Sequence, residues 1–244
     1  MQGDRGKIKQ KLNRLLGIFY PPVCLGCEEL LDYWDESAFC EECKKKWEEH
    51  KEEFCRKCGQ PIKECWCGVP DNIGEIVDAE VHLVQYDKTE SIIKNLLFII
   101  KRKNRDSYFN FLCYEMYNEL LPRLKDDDYV VTSVPRNPKT VRYYGHDQAL
   151  CLAKGFSALS GFEYIDCLFN AGGERQKTLT RKQREVNAAQ SYKIKAGYTS
   201  ILKGKRVILI DDVTTTGATV VRCAKLLKSK GAEKVYVMSI AKTV

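Results

Sequence analysis

No apolar run in this sequence is long enough to cross a bilayer. The longest wholly apolar stretches, among them Leu96 to Ile100 and Val207 to Ile210, fall far short of the roughly 20 residues a spanning helix needs. The stretch from Met1 to Asn13 has no apolar core and no small-residue cleavage pattern, so export is not expected and a cytoplasmic, reducing location is. There is no long repeat and no low-complexity tract. With 44% hydrophobic and 30% charged residues, the chain is neither disordered nor fibrous. Its 244 residues are long for one domain and short for three, which predicts one large domain with one small one.

The net charge of +7 divides unevenly. Residues 1–70 hold 12 Lys+Arg against 13 Asp+Glu, whereas residues 71–244 hold 28 against 20. The positive surplus therefore sits in the larger part. A basic face there suits phosphates, of a small substrate or of nucleic acid, and serves solubility equally well.

Cysteine is what the sequence has in excess. Cys24, Cys27, Cys40 and Cys43 read C-x2-C-x12-C-x2-C, and Cys55, Cys58, Cys65 and Cys67 read C-x2-C-x6-C-x-C. Two thiolates of a close pair can share one edge of a metal's coordination shell. Four thiolates complete a tetrahedral Zn²⁺ site with no open position, which is a structural centre. Such centres supply folding energy to segments too small to build a core. In a reducing compartment zinc is favoured over a disulfide framework. Two structural zinc ions are expected, with sequential or interleaved pairing left open by the spacing. The module also carries Glu41, Glu42, Glu48, Glu49, Glu52 and Glu53. An acidic module of this kind suits bracing the larger domain or contacting a partner better than binding DNA. Cys113, Cys151, Cys167 and Cys223 stand singly in apolar surroundings and read as small buried apolar residues.

Ile8, Leu12, Leu15, Leu16 and Phe19 recur at helical spacing until Pro21-Pro22, so residues 1–20 are expected to hold a short amphipathic helix that docks on the body. The zinc module is expected over 21–70, with Pro70-Asp71-Asn72 as a linker turn, and the larger domain over 71–244. From residue 76 the patterns alternate: strand character over 76–86, helices over 90–101 and 108–121, and an apolar β-branched run over 129–134. A helix over 148–159, a strand over 164–169 and a helix over 182–189 come next. A buried strand over 206–210, a helix over 218–228 and a strand over 235–240 complete the series. That order predicts an α/β fold, a parallel sheet with helices on both faces. Ligands in such sheets bind beyond the carboxyl ends of strands, here the loops after Val134 and Ile210.

The segment Val207-Ile208-Leu209-Ile210-Asp211-Asp212-Val213-Thr214-Thr215-Thr216-Gly217-Ala218-Thr219 is the most informative in the chain. Four apolar residues emerge from the core, two carboxylates follow, and a hydroxyl-rich loop with one glycine opens a helix. Adjacent acids are costly to bury unless hydroxyl donors or a metal satisfy them. The loop offers backbone N–H groups, Thr hydroxyls and a helix N-terminus, a set that suits a phosphate dianion. Acids for sugar hydroxyls beside a phosphate cradle describe a site for a ribose 5-phosphate.

This segment resembles the 5-phosphoribosyl diphosphate (PRPP) signature of the type I phosphoribosyltransferases. The resemblance implies that Asp211 and Asp212 hold the ribose hydroxyls and that Thr214, Thr215, Thr216, Gly217, Ala218 and Thr219 surround the 5-phosphate. It also places the diphosphate loop at Ser133, Val134, Pro135 and Arg136, with Lys139 and Arg142 nearby as further cations. The mobile catalytic loop would be the segment from Gln176 to Asn187. Asp211, Asp212, Arg136 and Arg184 would then be the catalytic residues, with Mg²⁺ accompanying PRPP.

The paired CxxC motifs ahead of such a domain, the Gly145-His146-Asp147-Gln148-Ala149 element and Leu179-Thr180-Arg181 with Arg184 and Asn187 together resemble the ComF competence proteins, over residues 15–244. The family usually carries Arg-Gly-Phe-Asn-Gln where this chain has Tyr144-Gly145-His146-Asp147-Gln148, and an Arg and a Thr where it has Ala171 and Gly173. His146 reads as a packing or surface residue before a general base. The resemblance implies binding of PRPP or a related ribose phosphate. It also implies support of natural competence through incoming single-stranded DNA and cytosolic partners, a helicase and a DNA-processing protein, without membrane insertion. A metabolic phosphoribosyltransferase with an unidentified nitrogenous acceptor and a non-catalytic PRPP-sensing scaffold are the alternatives. Thr215 stands where 6-oxopurine salvage enzymes carry an acid, which disfavours that chemistry. No cysteine follows Met1, so a glutamine-hydrolysing half is not expected.

Overall fold

The structure, a computed structural model, describes residues 21–32, 37–53, 55, 61, 76–86, 91–125, 128–172 and 191–243. The expected helix over 7–19, the linker at 70–72 and the segment 176–187 with its helix lie outside them.

Five strands build the central sheet: β1 (Ala79–Tyr86), β2 (Tyr129–Ser133), β3 (Glu163–Tyr164), β6 (Arg206–Thr214) and β7 (Lys234–Thr243). Their order is β1-β7-β6-β2-β3, and every pairing is parallel. Parallel strands need crossovers, and the helices supply them on both faces. Alternation along a strand explains why both faces must be covered. On β6, Ile208 and Ile210 join the core that also holds Met238 and Ile240 of β7. Val207 and Leu209 join the opposite core with Val235 and Val237. All of these side chains are fully buried.

The first face carries α2 (Ser91–Arg102), α3 (Asp106–Leu120) and α5 (Gln148–Ser160). Helix α2 buries Ile92, Ile93, Leu96, Leu97, Ile99 and Ile100, the stripe expected of an amphipathic helix on a core. Helix α5 begins where the Asp147 side chain accepts the Leu150 N–H and ends at Gly161, whose φ of 76° suits a residue without Cβ. The second face carries α7 (Ala218–Ser229), which buries Val220, Cys223, Ala224 and Leu227.

Two short strands, β4 (Leu168–Asn170) and β5 (Tyr192–Ile194), form a separate antiparallel pair beside α7. The single strand expected over 164–169 is thus two. The Ile165 N–H still bonds to the Val131 carbonyl, after which the chain leaves the main sheet and pairs with 192–194 instead. Helix α4 (Pro138–Tyr144) and the one-turn α6 (Thr199–Leu202) complete the body.

The cysteine module is not a separate bead. Helix α1 (Glu41–Lys51) turns Cys43 and Trp47 to the same side, one turn apart. Val23, Cys24, Leu25, Phe39 and Trp47 belong to the same core as α2 and α3. Phe111 of α3 stands edge-on to Phe39 at 5.4 Å and to Trp47 at 6.0 Å between ring centres. Polar ties fix the register. The Tyr108 hydroxyl donates to the Val23 carbonyl (2.7 Å) and accepts from its N–H (2.8 Å). The Trp47 indole N–H and the Lys51 ammonium share Oε2 of Glu115, at 2.9 and 2.6 Å. A buried acid with both partners in place avoids the cost of an unmatched charge.

Candidate phosphate site and metal centre

Strand β6 carries the two carboxylates. It continues beyond Ile210 to Thr214, with Asp211 opposite Ser239 and Thr214 opposite Lys242 of β7, so the acids stand within the last part of the strand. Both are half-buried. The Asp212 N–H bonds to its neighbour Asp211 Oδ1 and the Val213 N–H to Asp212 Oδ1, each at 2.8 Å. Burial first, and the Asp212 charge second, hold the Asp211 carboxyl well above the usual carboxylate range. Among the described residues no Lys or Arg forms an ion pair with either acid. Nearby cationic charge would relieve that burden.

Beyond Thr214 the chain turns through Thr215 and Thr216 into Gly217, whose φ of 74° places it in the left-handed region at the start of α7. Gly217 has no side chain to cap that helix, and the Thr216 hydroxyl accepts the Ala218 N–H at 3.5 Å. Beyond Ala218, the N–H groups of the first turn have no acceptor within the helix and lie at the end where the helix dipole favours negative charge. An open hollow of about 230 Å³ lies there, bordered by Asp211, Thr214 to Thr219 and Val220. Hydroxyls, backbone N–H groups and a positive helix end around one hollow form an anion cradle.

The loop after β2 lies alongside, because β2 and β6 are parallel neighbours with Ser133 opposite Ile210. The Val134 N–H bonds to the Ile210 carbonyl at 2.9 Å and roots one loop on the other. Ser133 Oγ lies 3.2 Å from the Tyr164 hydroxyl, and the Val134 side chain is buried in the core. The Arg136 guanidinium rests over the Tyr144 ring at 5.0 Å, and its buried Nη1 has no partner among the described residues. Asp147 Oδ2 accepts the Arg136 N–H at 2.9 Å. Lys139 and Arg142 are exposed on α4. His146 is buried, its ring nitrogens 2.8 Å from the Ile100 carbonyl and 3.1 Å from the Tyr144 carbonyl. It is a packing residue that ties this loop to the end of α2.

Two side chains beside the cradle had no sequence signal. Tyr192 comes from β5, with Thr219 and Asn170 nearby; burial pushes its hydroxyl up to about 12. Tyr164 on the edge strand β3 is likewise raised to about 12 by burial. Both arrive by strand pairing across long sequence separations, which no local pattern announces. Arg184 lies outside the described residues.

The first cysteine quartet closes on itself. The sulfurs of Cys24, Cys27, Cys40 and Cys43 all lie within 4.8 Å of one another. The Cys24–Cys40 and Cys27–Cys40 separations are 3.7 and 3.8 Å. A tetrahedral zinc with Zn–S bonds of about 2.3 Å requires an edge of about 3.8 Å, so the donors fit that ion. Burial alone would raise the Cys24 thiol, but N–H groups of Cys27, Cys40 and Gly26 outweigh it and lower its pKa, which suits a thiolate ligand. The quartet sits directly against the body: an Asn95 side-chain N–H donates to the Gly26 carbonyl at 2.7 Å. Of the second quartet only Cys55 is described. It is buried and lies 3.3 Å from the Gln85 amide nitrogen; Cys58, Cys65 and Cys67 lie outside the described residues.

Two family models match the chain, a double zinc ribbon domain over residues 15–73 and a phosphoribosyl transferase domain over residues 174–242. Competence protein ComFC of Streptococcus pneumoniae is 27% identical over 215 residues, covering 85% of this chain and 89% of that protein. Orotate phosphoribosyltransferase of Pyrococcus horikoshii is 26% identical over 151 residues, 57% of this chain and 79% of that one. Among solved structures, the allosteric regulatory enzyme of purine biosynthesis superposes with a TM-score of 0.40 at 20% identity, covering 59% of this chain and 30% of the other.

Proposed function

Because this chain is a ComF-like protein, in which a double zinc ribbon precedes a phosphoribosyltransferase domain, we propose that it binds PRPP with Mg²⁺ at the β6–α7 loop and serves natural competence by handling incoming single-stranded DNA. The observation that carries the ligand is the hollow at the start of α7, bordered by Asp211 and the Thr run. In this reading the loop from Thr215 to Thr219 cradles the 5-phosphate, and Asp211 and Asp212 accept hydrogen bonds from the ribose hydroxyls. Ser133 to Arg136 receive the diphosphate, where the spare Nη1 of Arg136 is one donor. The raised Asp211 carboxyl beside Asp212 suits a site completed by a divalent cation arriving with the ligand. When bound, Mg²⁺ would neutralise charge on the diphosphate. Arg184 would act from the stretch of sequence between β4 and β5. Zinc in the ribbon would brace the body through Gly26, Tyr108 and Glu115.

The competence role, with a helicase and a DNA-processing protein as cytosolic partners, is supported by the similarity to the pneumococcal ComFC along most of both chains. A metabolic phosphoribosyltransferase is the second reading, supported by the similarity to the orotate enzyme. Calorimetry with PRPP and Mg²⁺, followed by single-stranded DNA titration at two salt concentrations, tests the proposal. Ligand at one hundred times its Kd should stabilise the fold by about 2.7 kcal/mol, and changing both Asp211 and Asp212 to Asn should abolish that gain. A gain that survives the double substitution refutes the assignment. Diphosphate release with one compound of a nucleobase or amine panel would favour the second reading.

A further inference from the structure

We propose that Asp147 is a positioning residue for the diphosphate loop, fixing the backbone of Arg136 so that its guanidinium stands ready for the diphosphate. The proposal rests on the reading of the site given above. The two oxygens of Asp147 are divided between two elements. Oδ1 accepts the Leu150 N–H at 3.2 Å and caps α5, while Oδ2 accepts the Arg136 N–H at 2.9 Å across the mouth of the loop. One carboxylate thus ties the loop after β2 to the rigid start of a core helix.

Helix capping alone does not call for this arrangement. Asn, Ser or Thr would cap α5 as well, and an acid here adds a negative charge facing Asp211 and Asp212. A half-buried carboxylate in that company is costly; burial pushes its pKa up, and the Arg136 and Leu150 N–H bonds only partly offset this. The arrangement becomes intelligible through Arg136. With its N–H held, the side chain lies over Tyr144, at 5.0 Å from the ring, and leaves a buried Nη1 donor unmatched among the described residues. A buried guanidinium donor without an acceptor is expensive unless a ligand supplies one. Tyr144 and Asp147 meet on the same arginine, one at its guanidinium and the other at its N–H.

The test compares three ligands on the full zinc-loaded chain by calorimetry: PRPP with Mg²⁺, inorganic diphosphate with Mg²⁺, and ribose 5-phosphate. Asp147→Ser keeps a helix cap but is too short to span both N–H groups. Asp147→Asn offers one acceptor oxygen in place of two. For PRPP and diphosphate, affinity is expected to fall about tenfold in Asp147→Ser, with Asp147→Asn in between. Ribose 5-phosphate affinity should stay at the wild-type value in both, because its cradle belongs to β6 and α7. Equal PRPP affinity in wild type and Asp147→Ser would show that Asp147 is only a cap. Equal losses for PRPP and ribose 5-phosphate would show a general structural role. Either result overturns the proposal. A wild-type chain that binds none of the three overturns instead the reading of the site beneath it, and the proposal with it.

Discussion

Replacing Gly26 with alanine should loosen the four-cysteine centre and the body together. An added Cβ would stand 2.6 Å from Cys43 Sγ and 2.9 Å from Ile92 Cγ1. Ordinary contacts are roughly 3.5–4.0 Å, so both approaches are too close by more than half an ångström. Neither neighbour can swing away: Cys43 is a sulfur of the quartet and Ile92 is buried in the core. Overpacking of this kind costs about 1–3 kcal/mol. For a chain of this size 1 kcal/mol moves Tm by about 2–4 °C, so a fall of about 2–12 °C is expected. Differential scanning calorimetry reads the first effect, and zinc released to a colorimetric chelator at a fixed temperature reads the second. Alanine with wild-type Tm and wild-type zinc retention would refute the close packing of the knuckle on α2.

Two other outcomes are expected. Native mass spectrometry should find two zinc ions per chain; a count of one would leave Cys55, Cys58, Cys65 and Cys67 as a thiol cluster. The raised Asp211 carboxyl predicts a pH effect of definite sign. The folded chain holds that proton more tightly than the unfolded chain, so the stability this group contributes is present in acid and lost as pH rises through its raised pKa. PRPP with Mg²⁺ requires the ionised form, so affinity should climb as pH rises through that raised pKa. The climb should be shallower in Asp211→Asn, and equal slopes in the two proteins would contradict it.

Local chemistry made much of this molecule legible from sequence. Val207 to Ile210 could only be a strand buried on both faces, and the Asp pair with its Thr run announced a turn into a helix. The cysteine spacing gave the first quartet, whose sulfurs do converge. What escaped was set by distant partners. Helix α4 begins at Pro138 with Asn137 as its cap, but has no buried face to mark it. Residues 164–169 read as one strand because apolar residues recur in both halves, and only the pairing of 168–170 with 192–194 separates them. The burial of His146 depends on the Ile100 carbonyl, 46 residues away in the chain. The shared core of ribbon and body was equally hidden, since Phe39, Trp47 and Phe111 look like any aromatic residues until α1 and α3 are laid together.

That shared core bears on how the gene can be cut. A fragment begun at residue 76 would leave Ile92, Leu96 and Phe111 without the side chains that cover them, and Glu115 without Trp47 and Lys51. Such a fragment should clump when expressed rather than behave as a minimal folded domain. For the same reason, exchanging either portion for one from another protein would call for matching side chains on both sides of this seam.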